Sequence, residues 1–146
     1  MSEGIVYTSI LHPTDLRKNH FDLCKKAVEI ASQLNAKLHL LHVIEPPTTY
    51  QLAQGLGFAE LAIPVKEDAE TVMKYLGEAL NIPLEQQHVE TGSIKKQVID
   101  MATNLGCDLV IIGSHTPRAV PAFLGSTTYA VVHQAPCDVL TIRTQE

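Results

Sequence analysis

Near-continuous apolar runs alternate with segments of helical periodicity along this chain. The apolar runs predict β-strands at 5–11, 38–44, 109–112 and 139–142, and a further short strand is predicted at 85–90. Short runs rich in β-branched residues are typical of strands that are buried on both faces, as in parallel sheets. The first run leads to His12-Pro13, where proline is expected to stop the strand ladder.

The segments between these strands show the spacing of amphipathic helices. Apolar residues from Cys24 to Leu34 define the first helix, for which Asn19 is a candidate N-cap. Further helices are predicted over about 64–80, over 94–105 with Gly106 as the stop, and over 126–133. The alternation predicts one domain over residues 1–146 with a Rossmann-like α/β fold. Its sheet is open, doubly wound, five-stranded and parallel, with helices on both faces.

Residues 46–61 interrupt this alternation, with weak patterning, two glycines and two prolines. A loop of that length in a compact domain is usually functional or mobile. We expect this segment to be the most mobile part of the chain and to cover a ligand bound near the end of the second strand.

The composition is that of a soluble globular protein, with 45% hydrophobic and 18% charged residues. A net charge of −5 and a pI near 5.8 disfavour a dedicated nucleic-acid binder, which usually carries a basic surface. The apolar runs are far shorter than the roughly 20 residues of a membrane helix, and no signal peptide is recognisable. Cys24, Cys107 and Cys137 show no CxxC spacing and predict reduced thiols. A cytoplasmic location without membrane contact is the expectation.

Three predicted strands end at 12–15, 43–45 and 113–115. Ligands of doubly wound sheets bind at these carboxyl ends, where the strand order reverses. The sequence Gly125-Ser126-Thr127-Thr128 then opens a helix, whose first amides and dipole suit a phosphate. The alternative is that Ser126 or Thr127 only caps this helix.

Several common catalytic and metal-binding motifs do not fit this chain. It lacks GxxxxGK[ST], and it has no GxGxxG at a strand-to-helix turn. Without a Walker lysine, an acidic metal ligand near the loop or a water-positioning base, fast ATP hydrolysis is hard to organise, so binding is favoured over turnover. A triad of Ser114, His115 and Asp15 has no GxSxG elbow to support it. The histidines form no HxH or HxxxH pair, which predicts no metal site.

Taken together, several motifs resemble the universal stress protein family over the whole chain. They are a first strand that ends in Pro13-Thr14-Asp15, the run Gly113-Ser114-His115, the later Gly125-Ser126, and the tail Ala135-Pro136-Cys137 before the last strand. Members share a five-stranded fold of the adenine nucleotide alpha-hydrolase type, usually dimerise through the last strand, and in many cases bind ATP. The resemblance implies a regulatory stress-response homodimer, paired through the strand from Val139 to Ile142, that binds ATP, ADP or AMP. Whether Mg²⁺ accompanies the ATP stays open.

The resemblance also implies a binding site. Pro13, Thr14 and Asp15 match positions that approach the adenosine, and Val43 matches the position whose backbone hydrogen-bonds adenine. Gly113 matches the glycine near the ribose and the phosphates. The remaining candidates belong to the loop and to the helix start that would grip the phosphates: His115, Thr116, Arg118, Gly125, Ser126, Thr127 and Thr128.

The loop before this helix departs from the family's usual pattern of two glycines followed by Gly-Ser or Gly-Thr. Thr116 replaces the second glycine, and the loop is shorter than usual because only eight residues, 117–124, separate Thr116 from Gly125. Threonine seldom adopts a positive φ, and Pro117 has no amide to donate. Arg118 either supplies charge in place of the lost amides or is simply solvated.

Two functions are consistent with these observations. The first is a stress-response protein that binds an adenine nucleotide at the ends of its strands. The second is a non-enzymatic, stress-associated interaction module that has lost nucleotide binding and acts through an unidentified protein partner. Thr116, Pro117 and the short loop favour the second. Enzymatic activity stays open, with slow ATP hydrolysis as its upper bound.

Overall fold

The computed structural model describes residues 6–16, 20–45, 55–57, 63–115 and 126–144. Within these ranges a short 3-10 turn, Leu84–Gln86, precedes the third strand. The strands and helices are β1 (Ser9–Pro13), α1 (Phe21–Leu34), β2 (Lys37–Ile44), α2 (Ile63–Leu80), β3 (Gln87–Thr91), α3 (Ile94–Asn104), β4 (Leu109–His115), α4 (Ser126–Gln134) and β5 (Asp138–Thr144).

The five strands form one sheet in the order β3-β2-β1-β4-β5, and every neighbouring pair is parallel. The strand order reverses between β1 and β4. Successive strands β1, β2 and β3 are added toward one edge of the sheet, and β4 and β5 are added toward the other edge. The predicted doubly wound parallel sheet is therefore confirmed. β3 and β5 are the edge strands, and β4 and β5 are both longer than their apolar runs predict.

The core has one layer on each face of the sheet, because successive residues of a strand point to opposite sides. Ile10 and Leu40 belong to the layer beneath α1 and α2, whereas Leu11 and Leu41 belong to the layer beneath α3 and α4. All four side chains are completely buried. Burial on both faces explains why the strands read as continuous apolar runs instead of alternating ones.

The first strand differs from its predicted bounds, since it begins at Ser9 and includes Pro13. The expectation that proline stops the ladder is wrong on the side of β2. There Pro13 is still in register with Leu41, and Thr14 N donates to Leu41 O at 2.8 Å. Since alternate residues face opposite neighbours, the nitrogen of Pro13 faces β4, where the register ends at Leu11. The missing amide therefore removes no ladder hydrogen bond.

Both ends of α3 follow the sequence rules, whereas the start of α1 does not. Ser93 is the N-cap of α3, and its side chain accepts a hydrogen bond from Lys96 N. Gly106 follows the end of α3 with a φ of 64°, which confirms it as the stop. At α1 the N-cap position is held by His20, without a side-chain capping bond, and the candidate Asn19 lies outside the described residues.

Three smaller predictions stand as follows. Of the segment 46–61, only 55–57 fall within the described residues, so its mobility stays a prediction. In the part of the chain that the structure describes, no helix is long and apolar enough to cross a membrane. Cys24, Cys107 and Cys137 are free thiols, as their spacing predicts.

Candidate functional site

A cavity of about 220 Å³ lies at the carboxyl ends of β1, β2 and β4, next to the first residues of α3 and α4. We call it the strand-end cavity. It spans the point between β1 and β4 where the strand order reverses, which is where doubly wound sheets bind their ligands. The structure brings together six of the predicted site residues in its lining: Pro13, Thr14, Asp15, Val43, Gly113 and Thr127.

The other predicted residues do not line the part of this cavity that the structure describes. His115 ends β4 and Ser126 begins α4, but the structure describes only their backbone. Thr116, Arg118 and Gly125 are likewise outside the described residues. Thr128 is buried, and its Oγ1 donates to Gly113 O at 3.0 Å. The hydroxyl of Thr128 therefore holds α4 against β4.

The connection after β1 is held in place by hydrogen bonds to β2. Thr14 N donates to Leu41 O at 2.8 Å, and His42 Nδ1 donates to Thr14 O at 2.9 Å. Because a carbonyl oxygen can only accept, His42 must carry its proton on Nδ1. Leu16 N donates to Thr14 Oγ1 at 3.2 Å, and Leu16 itself has a φ of 61°, a conformation that leucine rarely adopts. These contacts hold Thr14, the residue before Asp15, against β2 at the cavity.

Asp15 and His20 form a pair at the mouth of the strand-end cavity. His20 Nε2 lies 3.2 Å from Asp15 Oδ2, and both side chains are partly exposed. Exposed ion pairs contribute little to stability. The main effect of this pair is therefore to orient the carboxylate of Asp15. A carboxylate in this position can accept hydrogen bonds from the hydroxyl groups of a ligand.

His12 joins β1 to β4 beneath the cavity. It is completely buried, and its Nδ1 donates to Ile111 O at 2.8 Å, beyond the point where the backbone register between the two strands ends. Burial lowers the pKa of His12 to about 4, against the effect of the bond to Ile111, and the nearby His20 lowers it further. His12 is therefore neutral at physiological pH. It serves as a structural tie between β1 and β4.

Sequence reasoning missed five residues that line the strand-end cavity: His20, Leu41, His42, Ile94 and Ile112. Three of them are apolar: Leu41 and Ile112 lie within predicted strands and Ile94 at a predicted helix start, and these positions were the available signal. The role of His42 had no local signal, because its partner Thr14 lies 28 residues away in the sequence. In the same region, Glu45 Oε1 accepts from Ile94 N at 2.8 Å and satisfies an amide at the start of α3.

A histidine pair elsewhere in the sheet also escaped the sequence motifs. His39 Nδ1 and His88 Nε2 lie 3.0 Å apart across β2 and β3. Burial lowers the pKa of both rings; His39 is lowered further by the nearby His88 and Lys37, whereas Glu90 raises that of His88. Across the described ranges no three His, Cys, Asp or Glu side chains come together as metal ligands would.

The five-stranded parallel sheet agrees with the fold of solved universal stress protein structures. The sequence profile of the universal stress protein family matches residues 7–143 of this chain. The chain belongs to the universal stress protein family. The family membership and the fold class expected from the motifs are therefore confirmed.

Similar proteins support the same assignment. Universal stress protein A homolog 2 from Coxiella burnetii is 36% identical over 122 residues, which are 83% of this chain and 84% of that protein. The solved structure of universal stress protein UspA from Lactobacillus plantarum is 25% identical with a TM-score of 0.66, covering 96% of this chain and 100% of that one. A universal stress protein solved in complex with cAMP is 16% identical with a TM-score of 0.69, covering 97% and 100%. At that identity, the last comparison shows the fold alone.

Proposed function

We propose that this universal stress protein binds an adenine nucleotide, ATP, ADP or AMP, in the strand-end cavity and acts in the stress response as a regulatory homodimer. The observation that carries the proposal is the convergence of Pro13, Thr14, Asp15, Val43 and Gly113 on one cavity at the reversal of the strand order. These residues come from three different strand ends. Their meeting at one place supports a common ligand more strongly than any one motif does.

The backbone of Val43 suits the edge of an adenine ring. Leu41 O faces β1 and accepts from Thr14 N, whereas Ile44 O faces β3 and accepts from Gly92 N. Val43, two residues after Leu41, therefore directs its amide and carbonyl toward β1. Since β1 ends at Pro13, no described strand lies opposite these two groups. One donor and one acceptor at the cavity wall match the alternating donors and acceptors along the edge of adenine.

The ribose would lie near Asp15. Its carboxylate lines the cavity and is oriented by His20, so it can accept hydrogen bonds from ribose hydroxyl groups. A bond to a charged acceptor contributes about 1.5–3 kcal/mol. The proposed nucleoside end therefore depends on one carboxylate and on the backbone of Val43.

The phosphates would lie at the start of α4. Thr127 lines the cavity in the first turn of this nine-residue helix, whose N-terminal amides and dipole attract anions. Gly125 and Ser126 are proposed to let the phosphates approach these amides. Thr116 and Pro117 remove one or two amide bonds, each worth about 1.5–3 kcal/mol. ATP should accordingly bind roughly tenfold to a hundredfold more weakly per lost bond than it would to a full glycine loop.

Calorimetric titration of the full chain tests this proposal directly. We expect saturation by ATP, ADP and AMP, measured with and without Mg²⁺ because its involvement is open. Mass spectrometry of nucleotide released from denatured protein gives an independent readout. The proposal fails if none of the three nucleotides binds at millimolar concentration and no nucleotide is released.

The homodimer is proposed to form at the outer edge of β5. Among the strands that the structure describes, β5 pairs with β4 alone, and Leu140 is 39% exposed. An edge strand with apolar side chains is open to another chain, which a second copy would satisfy. Leu140→Lys should produce monomers or aggregates in sedimentation at micromolar concentration, whereas the exposed substitution Thr103→Lys on α3 should not. A monomeric wild-type protein would contradict the dimer.

A second candidate function is an interaction module that no longer binds nucleotide. One observation favours it: the described lining of the strand-end cavity contains a carboxylate but neither lysine nor arginine. A triphosphate would then find few neutralising charges in this part of the site. Absence of nucleotide binding together with a retained dimer would support this second function and leave an unidentified protein partner as the ligand.

A further inference from the structure

Two histidine side chains join β2 to β3 at one edge of the sheet. His39 Nδ1 of β2 and His88 Nε2 of β3 lie 3.0 Å apart, which is hydrogen-bond distance. The ring centroids are 5.2 Å apart and the rings are inclined by 35°, so the two rings meet through these nitrogens and do not stack face to face. In the sheet that the structure describes, β3 has β2 as its one neighbour. The histidine pair is therefore a cross-strand contact that holds an edge strand.

The histidine pair belongs to the core layer that α3 and α4 cover. His39 is in register with Leu11 and His88 with Leu41, and both leucines belong to that layer. Register partners point to the same face of a sheet, so the two rings lie on this face as well. His39 is only 8% exposed. A charge on this ring would be poorly solvated, which favours the neutral form.

The charged groups around the pair also favour two neutral rings. Burial is the main cause that lowers the pKa of His39, and His88 and Lys37 lower it further. Burial likewise lowers the pKa of His88, against the opposing effect of Glu90. The face of α3 that packs on this layer is apolar, with Ile94, Val98, Met101 and Ala102. The charged residues of α3 and of the turn before β3 are exposed: Glu85, Lys95, Lys96 and Asp100.

The hydrogen bond between the rings depends on how many protons the pair carries. A neutral imidazole has one N–H and one lone pair, so one proton lies between His39 Nδ1 and His88 Nε2. One additional proton leaves the bond in place, because a cationic ring can still donate to a neutral one. A second additional proton makes both nitrogens donors, and two like charges then face each other. Acid therefore converts an attraction between β2 and β3 into a repulsion.

The strand β3 leads directly to one wall of the strand-end cavity. Gly92, which follows β3, donates from its backbone N to Ile44 O at 2.9 Å. Ile94 N, at the start of α3, donates to Glu45 Oε1 at 2.8 Å. Ile94 and Val43 both line the cavity. A displacement of β3 would therefore disturb the end of β2 and the start of α3 together.

We propose that His39 and His88 form a pH switch, in which two neutral rings hold β3 on β2 and protonation of both rings in acid loosens this edge strand. The loosened β3 disturbs the connection to α3 and lowers the affinity of the strand-end cavity for its ligand. This last step rests on the proposed nucleotide binding, whereas the loosening of β3 does not. The switch adds a regulation by pH to the proposed function.

Amide hydrogen exchange of the full chain without ligand measures the switch itself. Gly92 N donates to Ile44 O, so His88 and Glu90, at alternate positions before Gly92, also direct their amides to β2. These three amides report the pairing of the two strands. Between about pH 7.5 and about pH 5, we expect their protection factors, which correct for the intrinsic pH dependence of exchange, to fall about tenfold or more.

A double variant separates the hydrogen bond from its titration. In His39→Asn/His88→Gln the side-chain amides lie where the two ring nitrogens were, and they can form a bond that does not titrate. The protection of the three amides should then be nearly equal at both pH values. The single variant His88→Gln removes one of the two charges and should also lose most of the response. His133→Gln removes an exposed histidine from α4 and should respond to acid as the wild-type protein does.

Ring ¹H–¹⁵N spectra of the wild-type protein test the pairing without any substitution. His39 and His88 should both titrate below the value of about 6.5 that is usual for histidine. Protonation of one ring should also shift the signals of the other, because the two share a proton.

Calorimetry with adenosine measures the effect on the strand-end cavity. Adenosine carries no phosphate, so its charge stays the same over this pH range. From about pH 7.5 to about pH 5, the wild-type protein should lose about two- to tenfold more affinity for adenosine than the double variant does. The titration of other groups at the site, such as Asp15 with His20, is common to both proteins and cancels in the comparison.

Three results would overturn the proposal. An equal acid response of the β3 amides in the wild-type protein and in both histidine variants would show that the pair does not hold the strand. Rings that titrate independently near 6.5 would contradict the pairing itself. Equal losses of adenosine affinity would refute the link to the cavity. If adenosine bound to neither protein at either pH, the proposed nucleoside site would fail, and hydrogen exchange would still decide the switch.

Discussion

The two halves of the strand-end cavity are built in different ways. The half proposed for the nucleoside rests on long-range hydrogen bonds between β1 and β2, including His42 Nδ1 to Thr14 O. The half proposed for the phosphates rests on one helix start, which Thr128 ties to Gly113. The first half offers individual donors and acceptors, whereas the second offers the general attraction of a helix dipole for anions. Recognition of the base and affinity for the phosphates should therefore be separable.

Gly125→Val should have the largest effect and should act on the phosphate half alone. A side chain at this position would block the approach of phosphates to the amides of α4, so we expect ATP binding to weaken by at least about a hundredfold. Adenosine should bind as it does to the wild-type protein. Parallel calorimetric titrations of the two ligands check the separation. An equal loss for adenosine would mean that the two halves are one cooperative unit.

Low pH should protonate His12 and so destabilise the β1–β4 contact beneath the nucleoside half. The folded protein lowers the pKa of His12 from 6.5 to about 4, mainly by burial. The contribution of the neutral His12 ring to the free energy of unfolding is complete above pH 6.5. It is lost as the pH falls toward 4, by about 3 kcal/mol in total. Urea unfolding at several pH values measures this loss.

His12→Leu should flatten this pH dependence, because leucine does not titrate. His133→Gln, which removes an exposed histidine from α4, serves as the control and should keep the slope of the wild-type protein. If His12→Leu and the wild-type protein lost the same free energy between pH 6.5 and 4, His12 would not be the titrating group.

Asp15→Ala should act on the nucleoside half. Removal of the charged acceptor should weaken adenosine and ATP by the same factor, about tenfold or more. Asp100→Ala removes the same charge from the exposed surface of α3 and should change neither affinity. A loss confined to ATP would place Asp15 near the phosphates or a metal ion instead of the ribose.

His42→Leu should have the smallest effect of the four. It removes the bond to Thr14 O, which should cost about 1 kcal/mol of stability and loosen the turn that presents Asp15. Adenosine should then bind about fivefold more weakly. Thermal unfolding and calorimetry of the same preparation give both numbers. Unchanged adenosine affinity would show that the turn keeps its shape without this bond.

The residues of the candidate site that could be predicted from the sequence are those near the ends of predicted strands. Thr14, Asp15 and Gly113 follow apolar runs and Val43 lies near the end of one, and parallel strands bring their carboxyl ends to one edge of the sheet. His20 and His42 had no such signal. Their roles depend on which helix and which loop lie next to β1, and local periodicity carries no information about that.

The sequence by itself determined the α/β class, the alternation of elements, most helix ends and the family, because these follow from local patterns and short motifs. Only the tertiary structure decided the order β3-β2-β1-β4-β5, the passage of β1 through Pro13 and the pairing of His39 with His88. Each of these depends on contacts between segments far apart in the chain. A proline is acceptable in β1 because its nitrogen faces β4 beyond the end of the ladder, and only the arrangement of the neighbouring strands makes that so.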